Sequence, residues 1–394
     1  YQLPPLVVSN AARAYKMDVS LFNRLAQAHP EAVELLTEQY RMNDTIMSLC
    51  NRLVYEDRMK CAKEVASARL YLPLQVAISP YDGRRRRRIA QQEQHGPHDT
   101  ERWLALALSP DPAVVFLDTD SVKPLRQQGT DAFVEGAGAA LSSSGDVKDA
   151  DGRLFNSMEA QIVQLLIRGL VEKGEATLDE VGVISPYRAQ VDYLNDMFGQ
   201  QRRQLTALRD AVAPAVTAVR EGRAIGGKVA LGTGTLVAVE RGLEMTDVRS
   251  STAIGVIPSA QSRVERAPLS LDVSTVDKYQ GRDKDIIILS MVRQAPSLSS
   301  QSSSPGKEDS PLVGDLLRDW RRINVAITRA RLKLIVVGRG STLEHVPLLA
   351  ELVSTMKEQQ WHVQMPDDAL QMYSHVLIDG DSGSSTEAVE GIKE

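Results

Sequence analysis

Residues 286–289 read Ile286-Ile287-Ile288-Leu289, an apolar run without polar alternation. Such a run is typical of a strand that is covered on both faces of a sheet. Four other short segments share this character: 113–117 (AVVFL), 181–184 (VGVI), 273–276 (VSTV) and 334–337 (LIVV). Because helical patterns separate these segments, the sequence predicts an α/β fold with a parallel sheet.

Amphipathic helices are predicted between the strands. In the first, Gly174 is suited to end the helix, and five apolar residues recur at helical spacing: Met158, Ile162, Leu165, Leu166 and Leu170. Further helices are predicted over residues 188–197 and 312–328. Leu21 and Leu25 lie one helical turn apart and predict a short helix that packs near the start of the chain.

Several segments lack this periodicity and are interpreted as loops, linkers or disordered insertions. They are residues 82–100 with the five arginines 84–88, the Ser/Gly/Asp-rich residues 142–151, residues 201–270, and the Ser-rich residues 297–310. The acidic residues after Asp379 are expected to be disordered. The chain starts at Tyr1 without a signal peptide and reads as part of a longer protein.

Composition excludes few functions. The net charge of −5 argues mildly against a nucleic-acid binder. However, the residues from Asp367 onward hold seven acids against one lysine, so the remainder is nearly neutral and permits a local basic groove. No apolar run is long enough for a membrane span. Two cysteines are too few for a disulfide scaffold, a four-thiolate zinc site or an iron–sulfur cluster, which favours a reduced intracellular compartment.

Three polar blocks carry the candidate chemistry: residues 36–43 (LTEQYRMN), 274–285 (STVDKYQGRDKD) and 320–331 (WRRINVAITRAR). Each places arginine or polar groups beside a predicted strand or helix end. Fixed cations of this kind stabilise the charge that spreads over a phosphate during phosphoryl transfer. Arg41 and Arg329 are therefore candidate arginine fingers. The alternative is that both are surface arginines in local ion pairs.

Together the blocks resemble superfamily 1 helicases, in the branch that includes the nonsense-mediated-decay RNA helicase. QYRM, TVDKYQGRDKD and NVAITRAR resemble its motifs IV, V and VI, and QLPP at residues 2–5 resembles the tail of motif III. ISPYRAQ at residues 184–190 resembles a motif that this family places against the nucleic-acid backbone. Longer segments at 36–61, 275–293 and 316–330 are similar to the eukaryotic helicase/nucleases of DNA replication, which process flaps.

The resemblance implies a RecA-like, doubly wound parallel sheet of the P-loop NTPase fold, the second lobe of an ATP-dependent DNA helicase. Residues 36–363 would form this lobe, interrupted by the segments above. Residues 1–35 would end the first lobe or connect to it, and residues 364–394 would form an acidic tail. Hydrolysis of ATP would drive movement on single-stranded DNA in replication and repair.

The resemblance also assigns roles to single residues. On the ATP side, Arg41 and Arg329 would reach the γ-phosphate, which Gln2 would sense. Tyr40 would stack on adenine, and Gln280, Gly281 and Asp283 would line the nucleotide or link motif V to the cleft. Asp283 stands where relatives usually have glutamate.

On the strand side, Thr275 would bind a phosphate, Pro186 and Tyr187 would pack on the sugar–phosphate backbone, and Arg188 would add charge. Binding should then be sequence-tolerant and salt-sensitive. The alternative for Tyr187 is a half-buried tyrosine that closes a strand–helix turn. For Thr275 the alternative is a purely structural role.

Other features of a complete motor are not found in the sequence. It contains no GxxxxGK[ST] phosphate loop and no acidic pair after a strand, and the Gly-rich residues 232–236 are interpreted as a loop. The resemblance thus implies ATP with Mg²⁺ whose ligands lie upstream, and a nuclease domain with an iron–sulfur cluster that would also lie upstream. This segment alone is expected to be inactive, with Cys50 in the core and Cys61 on the surface.

The implied partners are single-stranded or flapped DNA, the first RecA-like lobe and a replication single-strand binding protein, with no membrane. The implied compartment is the nucleus, with the mitochondrion as a second one. Two alternatives stay open, an RNA helicase lobe of the same branch and a non-catalytic module that binds single strands. Arginines 84–88 fit a strand-binding surface, a nuclear import signal or a solvated loop.

Overall fold

The computed structural model describes residues 3, 7, 9–72, 103–125, 146–148, 153–174, 178–220, 229–231, 234–236, 271–292 and 319–378. Gln2, arginines 84–88 and the predicted loop at 297–310 lie outside the described residues.

Six parallel strands form the central sheet in the order β12-β3-β11-β10-β6-β9. They are β3 (Val114–Asp118), β6 (Val181–Ser185), β9 (Asp272–Thr275), β10 (Lys284–Ser290), β11 (Ala330–Gly338) and β12 (His362–Gln364). Three two-stranded pairs accompany the sheet: β1 (Glu38–Gln39) with β2 (Lys60–Cys61), β4 (Asp146–Lys148) with β5 (Leu154–Asn156), and β7 (Val229–Leu231) with β8 (Gly234–Leu236).

The helices among the described residues are numbered here in chain order. They are α1 (Asn10–Ala14), α2 (Leu21–Ala28), α3 (Asp44–Cys50), α4 (Lys63–Ala66), α5 (Trp103–Ala107), α6 (Ser157–Glu172), α7 (Arg188–Arg220), α8 (Val276–Tyr279), α9 (Trp320–Ile327), α10 (Gly340–Leu343), α11 (Pro347–Glu358), α12 (Ala369–Met372) and α13 (Ser374–Ile378). Short 3₁₀ turns span Pro30–Ala32 and Leu178–Glu180, and a π turn spans Asn51–Tyr55.

The sheet is buried on both faces, which explains the uniformly apolar runs. In β10, Ile286 and Ile288 pack into one core with α6 and α7. Ile287 and Leu289 pack into the opposite core with α3, α9 and α11. The predicted α/β class with a parallel sheet is confirmed, and all five predicted runs lie in its strands, except that Ala113 precedes β3 and Val276 already begins α8.

The structure is more regular than predicted in three places. Helix α7 continues to Arg220, far into the predicted insertion at 201–270. Gly234–Leu236, predicted as a loop, is a hairpin strand. Asp146–Lys148, inside the predicted linker, pairs with β5. Leu205, Val212 and Val216 are buried along the extension of α7, and each of the two strands pairs with a neighbouring strand.

Near the two ends of the described chain, packing also differs from expectation. Helices α12 and α13 carry the core to Ile378, beyond the predicted start of the acidic tail at 364, because Leu370, Tyr373 and Leu377 are buried in it. Helix α2 forms as predicted, but its Leu21 and Leu25 are exposed. Of the predicted helix at 312–328, the structure describes Trp320–Ile327. In the described part of the chain, every helix is too short or too polar to cross a membrane.

Candidate functional site

The predicted site residues divide between the two edges of the sheet. All six strands run in the same direction, so their first residues share one edge and their last residues the other. Asp283 and Arg329 directly precede β10 and β11 and therefore lie at the amino edge. Thr275 ends β9, and Pro186 directly follows β6, so both lie at the carboxyl edge.

The turn at residues 40–42 is built by Gln39. Its side-chain oxygen accepts hydrogen bonds from the backbone N–H of Arg41 at 2.9 Å and of Met42 at 2.8 Å. Its amide nitrogen donates back to the carbonyl oxygen of Met42 at 2.8 Å. The side chain of Gln39 thus holds a turn in which Met42 is buried while Tyr40 and Arg41 are exposed.

Asn43 fastens that turn to the sheet. Its side-chain oxygen caps α3 by accepting from Ile46 N–H, and its amide donates to the carbonyl oxygen of Leu332 in β11 at 2.9 Å. The Asn43 N–H donates to the carbonyl oxygen of Arg331. Because Asn43 is fully buried with these partners, the turn is held at the beginning of β11, next to Arg329.

Arg41, Asp283 and Arg329 meet at the amino edge although they come from three distant blocks. Arg41 Nε lies 3.4 Å from a carboxylate oxygen of Asp283, and Arg41 Nη1 lies 3.4 Å from the carbonyl oxygen of Thr328. The Lys284 N–H donates to the carbonyl oxygen of Arg329, which joins the two segments. Both members of the Arg41–Asp283 pair are about 40% exposed (41% and 40%), so their attraction is worth only about 0–1 kcal/mol.

Arg329 is held more firmly than a surface arginine. It is 8% exposed, and its guanidinium donates to the carbonyl oxygens of Val325 (2.9 Å) and Arg282 (3.0 Å) and to the hydroxyl of Thr328 (2.8 Å). Burial, reinforced by the nearby positive charge of Arg41, lowers the pKa of Arg329 to about 10. Arg329 is thus still charged at neutral pH, and three of its five N–H groups are engaged.

The other predicted nucleotide residues in the described part of the chain, Tyr40, Gln280 and Gly281, are exposed. Tyr40 is 64% exposed, and its hydroxyl donates to Glu38 at 3.1 Å, which raises the pKa of Tyr40. Gly281 has a φ of 84°, and a Cβ there would meet no atom within 4 Å. Gln280 is exposed at the end of α8. An exposed ring, an open glycine and two cations fit a nucleotide with its phosphates.

The carboxyl edge gathers the predicted strand-binding residues. Thr275 is the register partner of Ser185, so it lies directly beside Pro186. The Tyr187 N–H donates to the hydroxyl of Ser185 at 3.3 Å, which closes the turn into α7. Pro186 is buried, Tyr187 is half-buried and Arg188 is exposed. In this group Arg188 has the side chain best placed for a phosphate, whereas Pro186 shapes the turn.

The described residues offer no set of three or more His, Cys, Asp or Glu side chains arranged to hold a metal. Cys50 is buried, as predicted, and burial raises its pKa to about 12. Cys61, predicted on the surface, is half-buried and accepts a hydrogen bond from the Gln39 amide. As this sequence contains two cysteines, it cannot supply four thiolates to an iron–sulfur cluster.

Sequence reasoning missed the residues that hold the site together. Gln39, Asn43 and Gln190 all lie inside the quoted motifs, but their type gives no hint that they bind backbone groups rather than a ligand. Glu159 does leave a signal in the sequence. It is a charged residue on the buried face of α6, three positions after the capping residue Asn156. That signal predicts a helix cap, and the contacts of Glu159 described below are different.

Comparison with known proteins shows what this chain is similar to. The family model described as an AAA domain matches residues 17–341. The DNA replication ATP-dependent helicase/nuclease DNA2 of Mus musculus is 32% identical over 379 residues, which is 96% of this chain and 25% of the mouse protein. DNA replication ATP-dependent helicase/nuclease JHS1 of Arabidopsis thaliana is 31% identical over 360 residues, which is 91% of this chain and 18% of that protein.

The Homo sapiens DNA2 protein is 30% identical over 96% of this chain and 25% of its own length. The similarity to helicase/nucleases of DNA replication that the motifs predict is therefore confirmed. The chain spans a quarter or less of the length of these three relatives.

Proposed function

This chain belongs to the AAA domain family, and on that premise we propose that it is the second motor lobe of an ATP-dependent DNA helicase. The lobe comprises residues 36–363 together with α12 and α13, and residues 1–35 connect it to a first lobe. The intact protein couples ATP hydrolysis to movement on single-stranded DNA during replication and repair. It works in the nucleus, with the mitochondrion as a second compartment.

The observation that carries the proposal is the convergence of Arg41, Asp283 and Arg329 at one edge of the sheet. Arg41 and its hydrogen-bond partner Thr328, which directly precedes Arg329, are 287 positions apart in the sequence. Stability alone does not call for this approach of two guanidinium groups, since the charge of Arg41 disfavours the charge of Arg329. An anionic ligand bound between them removes that penalty.

The two arginines serve ATP hydrolysis in different ways. Arg329 is fixed by its bonds to Val325, Arg282 and Thr328, so it offers a cation that needs no reorganisation when charge develops on the phosphate. Arg41 is held weakly by Asp283 and exchanges that partner for a phosphate oxygen. Such arginines are worth about 10³–10⁵ in rate. Mg²⁺ bound with ATP would neutralise part of the phosphate charge, and its ligands would belong to the first lobe.

The carboxyl edge holds the strand. Arg188 and Thr275 contact phosphates, and the buried Pro186 fixes the turn that presents them. Contacts of this kind position a strand without reading its bases, so we expect binding to single-stranded or flapped DNA that tolerates any sequence and weakens with salt. A replication single-strand binding protein is the expected partner on the same DNA.

ATP turnover in the intact protein that contains this chain tests the proposal. We expect single-stranded DNA to stimulate turnover and Arg41→Ala to abolish the stimulation. Arg52→Ala is the matched control, because Arg52 pairs with Glu358 on the outer face of α11. Stimulation by RNA alone would assign the chain to an RNA helicase. Strand binding without any turnover would assign it to a non-catalytic module, and either result would contradict the proposal.

A further inference from the structure

A buried carboxyl group lies under the strand-binding edge and has no part in the chemistry described above. Glu159 is the third residue of α6 and is 2% exposed. Its oxygens accept a hydrogen bond from the hydroxyl of Ser290 at 2.6 Å and share the backbone N–H of Val292, at 3.0 Å from each oxygen. Glu159 thereby binds α6 to the carboxyl end of the central strand β10.

The backbone that Glu159 holds is strained. Val292 has a φ of 70°, in the left-handed region that a β-branched side chain strongly disfavours. Such a conformation persists only where the surroundings impose it, and strained residues of this kind cluster at functional sites. The bonds from the Val292 N–H to both oxygens of Glu159 are the contacts that impose it.

The same cluster extends to the turn that presents Arg188. Gln190, two residues further along α7, is fully buried, and its amide donates to the Ser290 hydroxyl at 3.3 Å and to the carbonyl oxygen of Asn156 at 3.2 Å. The side-chain oxygen of Gln190 accepts from the Asn156 N–H at 2.8 Å. The first turn of α7, which follows β6, is therefore joined to the end of β10 through Gln190, Ser290 and Glu159.

The arrangement departs from an ordinary helix cap in an informative way. Asn156 caps α6 by accepting from the Glu159 N–H at 2.8 Å. A glutamate at this position normally returns to the N–H of the capping residue. Here Gln190 takes that N–H, which leaves both oxygens of Glu159 for Ser290 and Val292.

We propose that Glu159 is a positioning residue for strand binding. It fixes the turn at Val292 and, through Ser290 and Gln190, the turn of residues 186–188 that presents Arg188. This inference rests on the proposed function, since it explains how the strand-binding edge keeps its shape. Glutamine in place of Glu159 retains the volume, but it replaces one acceptor oxygen by an NH2 donor, so its single oxygen cannot serve both the Ser290 hydroxyl and the Val292 N–H as the carboxylate does.

The test compares strand binding with nucleotide binding in the intact protein, using an oligothymidine strand as the probe. In Glu159→Gln we expect the strand concentration for half-maximal ATPase stimulation to rise about tenfold. The KM for ATP should stay unchanged, because the nucleotide residues lie at the opposite edge. Ser290→Ala should shift the strand concentration in the same direction while preserving the fold, so the test does not depend on one variant.

Glu172→Gln is the matched control. Glu172 is a buried glutamate on the same helix, 8% exposed, and it pairs with Arg168 at 3.1 Å, away from β10. The inference alone would be overturned if strand binding weakened equally in Glu172→Gln. It would also be overturned if strand binding were unchanged in Glu159→Gln and Ser290→Ala. If the strand did not stimulate ATP turnover in the wild-type protein, that result would instead overturn the proposed function on which the inference rests.

Discussion

Lys333 shows how burial alone reshapes a single side chain. It lies in β11 with no exposed surface, and its ammonium donates to the carbonyl oxygens of Ser109 at 2.7 Å and Pro112 at 2.6 Å. Burial lowers the pKa of Lys333 to about 7, against 10.5 for an exposed lysine. Between these two values the unfolded chain binds one proton more than the folded chain.

Folding stability should therefore depend on pH through Lys333. The free energy of unfolding should rise with pH between about 7 and 10.5, by about 1.4 kcal/mol per pH unit for one proton, and should be independent of Lys333 below about 7. In Lys333→Met this dependence should vanish. Urea unfolding of both proteins at pH values from 6 to about 9 measures it, and parallel curves for the two proteins would contradict the assignment.

Arg329 illustrates what a residue type cannot reveal. Its place in the NVAITRAR block predicts a cation near a phosphate, but not that three of its N–H groups are committed to its own lobe. The acceptors of those hydrogen bonds are Arg282, in the block of residues 274–285, and two groups at the end of α9. Only the fold brings these groups within reach.

Among the elements, α8 is short but tightly placed. It crosses from the end of β9 to the start of β10, and its Tyr279 is fully buried against Gly182 in β6. A Cβ at Gly182 would lie 2.1 Å from the Tyr279 hydroxyl oxygen and 2.8 Å from Ile287 Cδ1. Close approach of the helix to the sheet thus depends on glycine at this position.

Gly182→Ala should consequently destabilise the protein by about 1–3 kcal/mol, because well-packed cores resist added volume. Gly199→Ala in α7 is the matched control. A Cβ at Gly199 meets no atom within 4 Å, so alanine there should stabilise the helix by up to about 1 kcal/mol. Thermal unfolding compares the two, and a neutral Gly182→Ala would refute the packing described for α8.

The central strands were predictable from the sequence because burial on both faces removes polar alternation. The short edge strand β12 was not, since its three residues include His362 and Gln364 and leave no periodic signal. The later turns of α7 carry a signal that the prediction overlooked, because Leu205, Val212 and Val216 recur at helical spacing and are buried. Contacts such as Glu159 with Val292, 133 residues apart, depend on the topology and leave no local pattern.

At the scale of the whole molecule, the candidate site residues form two groups at opposite edges of one sheet. The amino edge holds Arg41, Asp283 and Arg329, and the carboxyl edge holds Thr275 and Arg188. Strand β10 runs between them, with Asp283 just before its first residue and Ser290 at its end. The motif blocks predict which residues belong to each group, whereas the separation of the groups follows from the parallel order of the strands.

Under the proposed function, this arrangement separates hydrolysis from strand binding. A substitution at the amino edge should therefore abolish turnover and leave the carboxyl edge able to bind a strand. On the same proposal, the intact motor would need both edges, because binding of ATP would close the two lobes and hydrolysis would reopen them.

The most direct measurement of the central claim uses Arg329→Ala in the intact protein, with ATP turnover and single-stranded DNA affinity determined side by side. The wild-type protein should hydrolyse ATP faster with DNA. The variant should lose about 10³-fold or more in turnover while its affinity for DNA changes little. Wild-type turnover in Arg329→Ala would show that this arginine does not serve a phosphate, and would contradict the assignment of the amino edge to ATP.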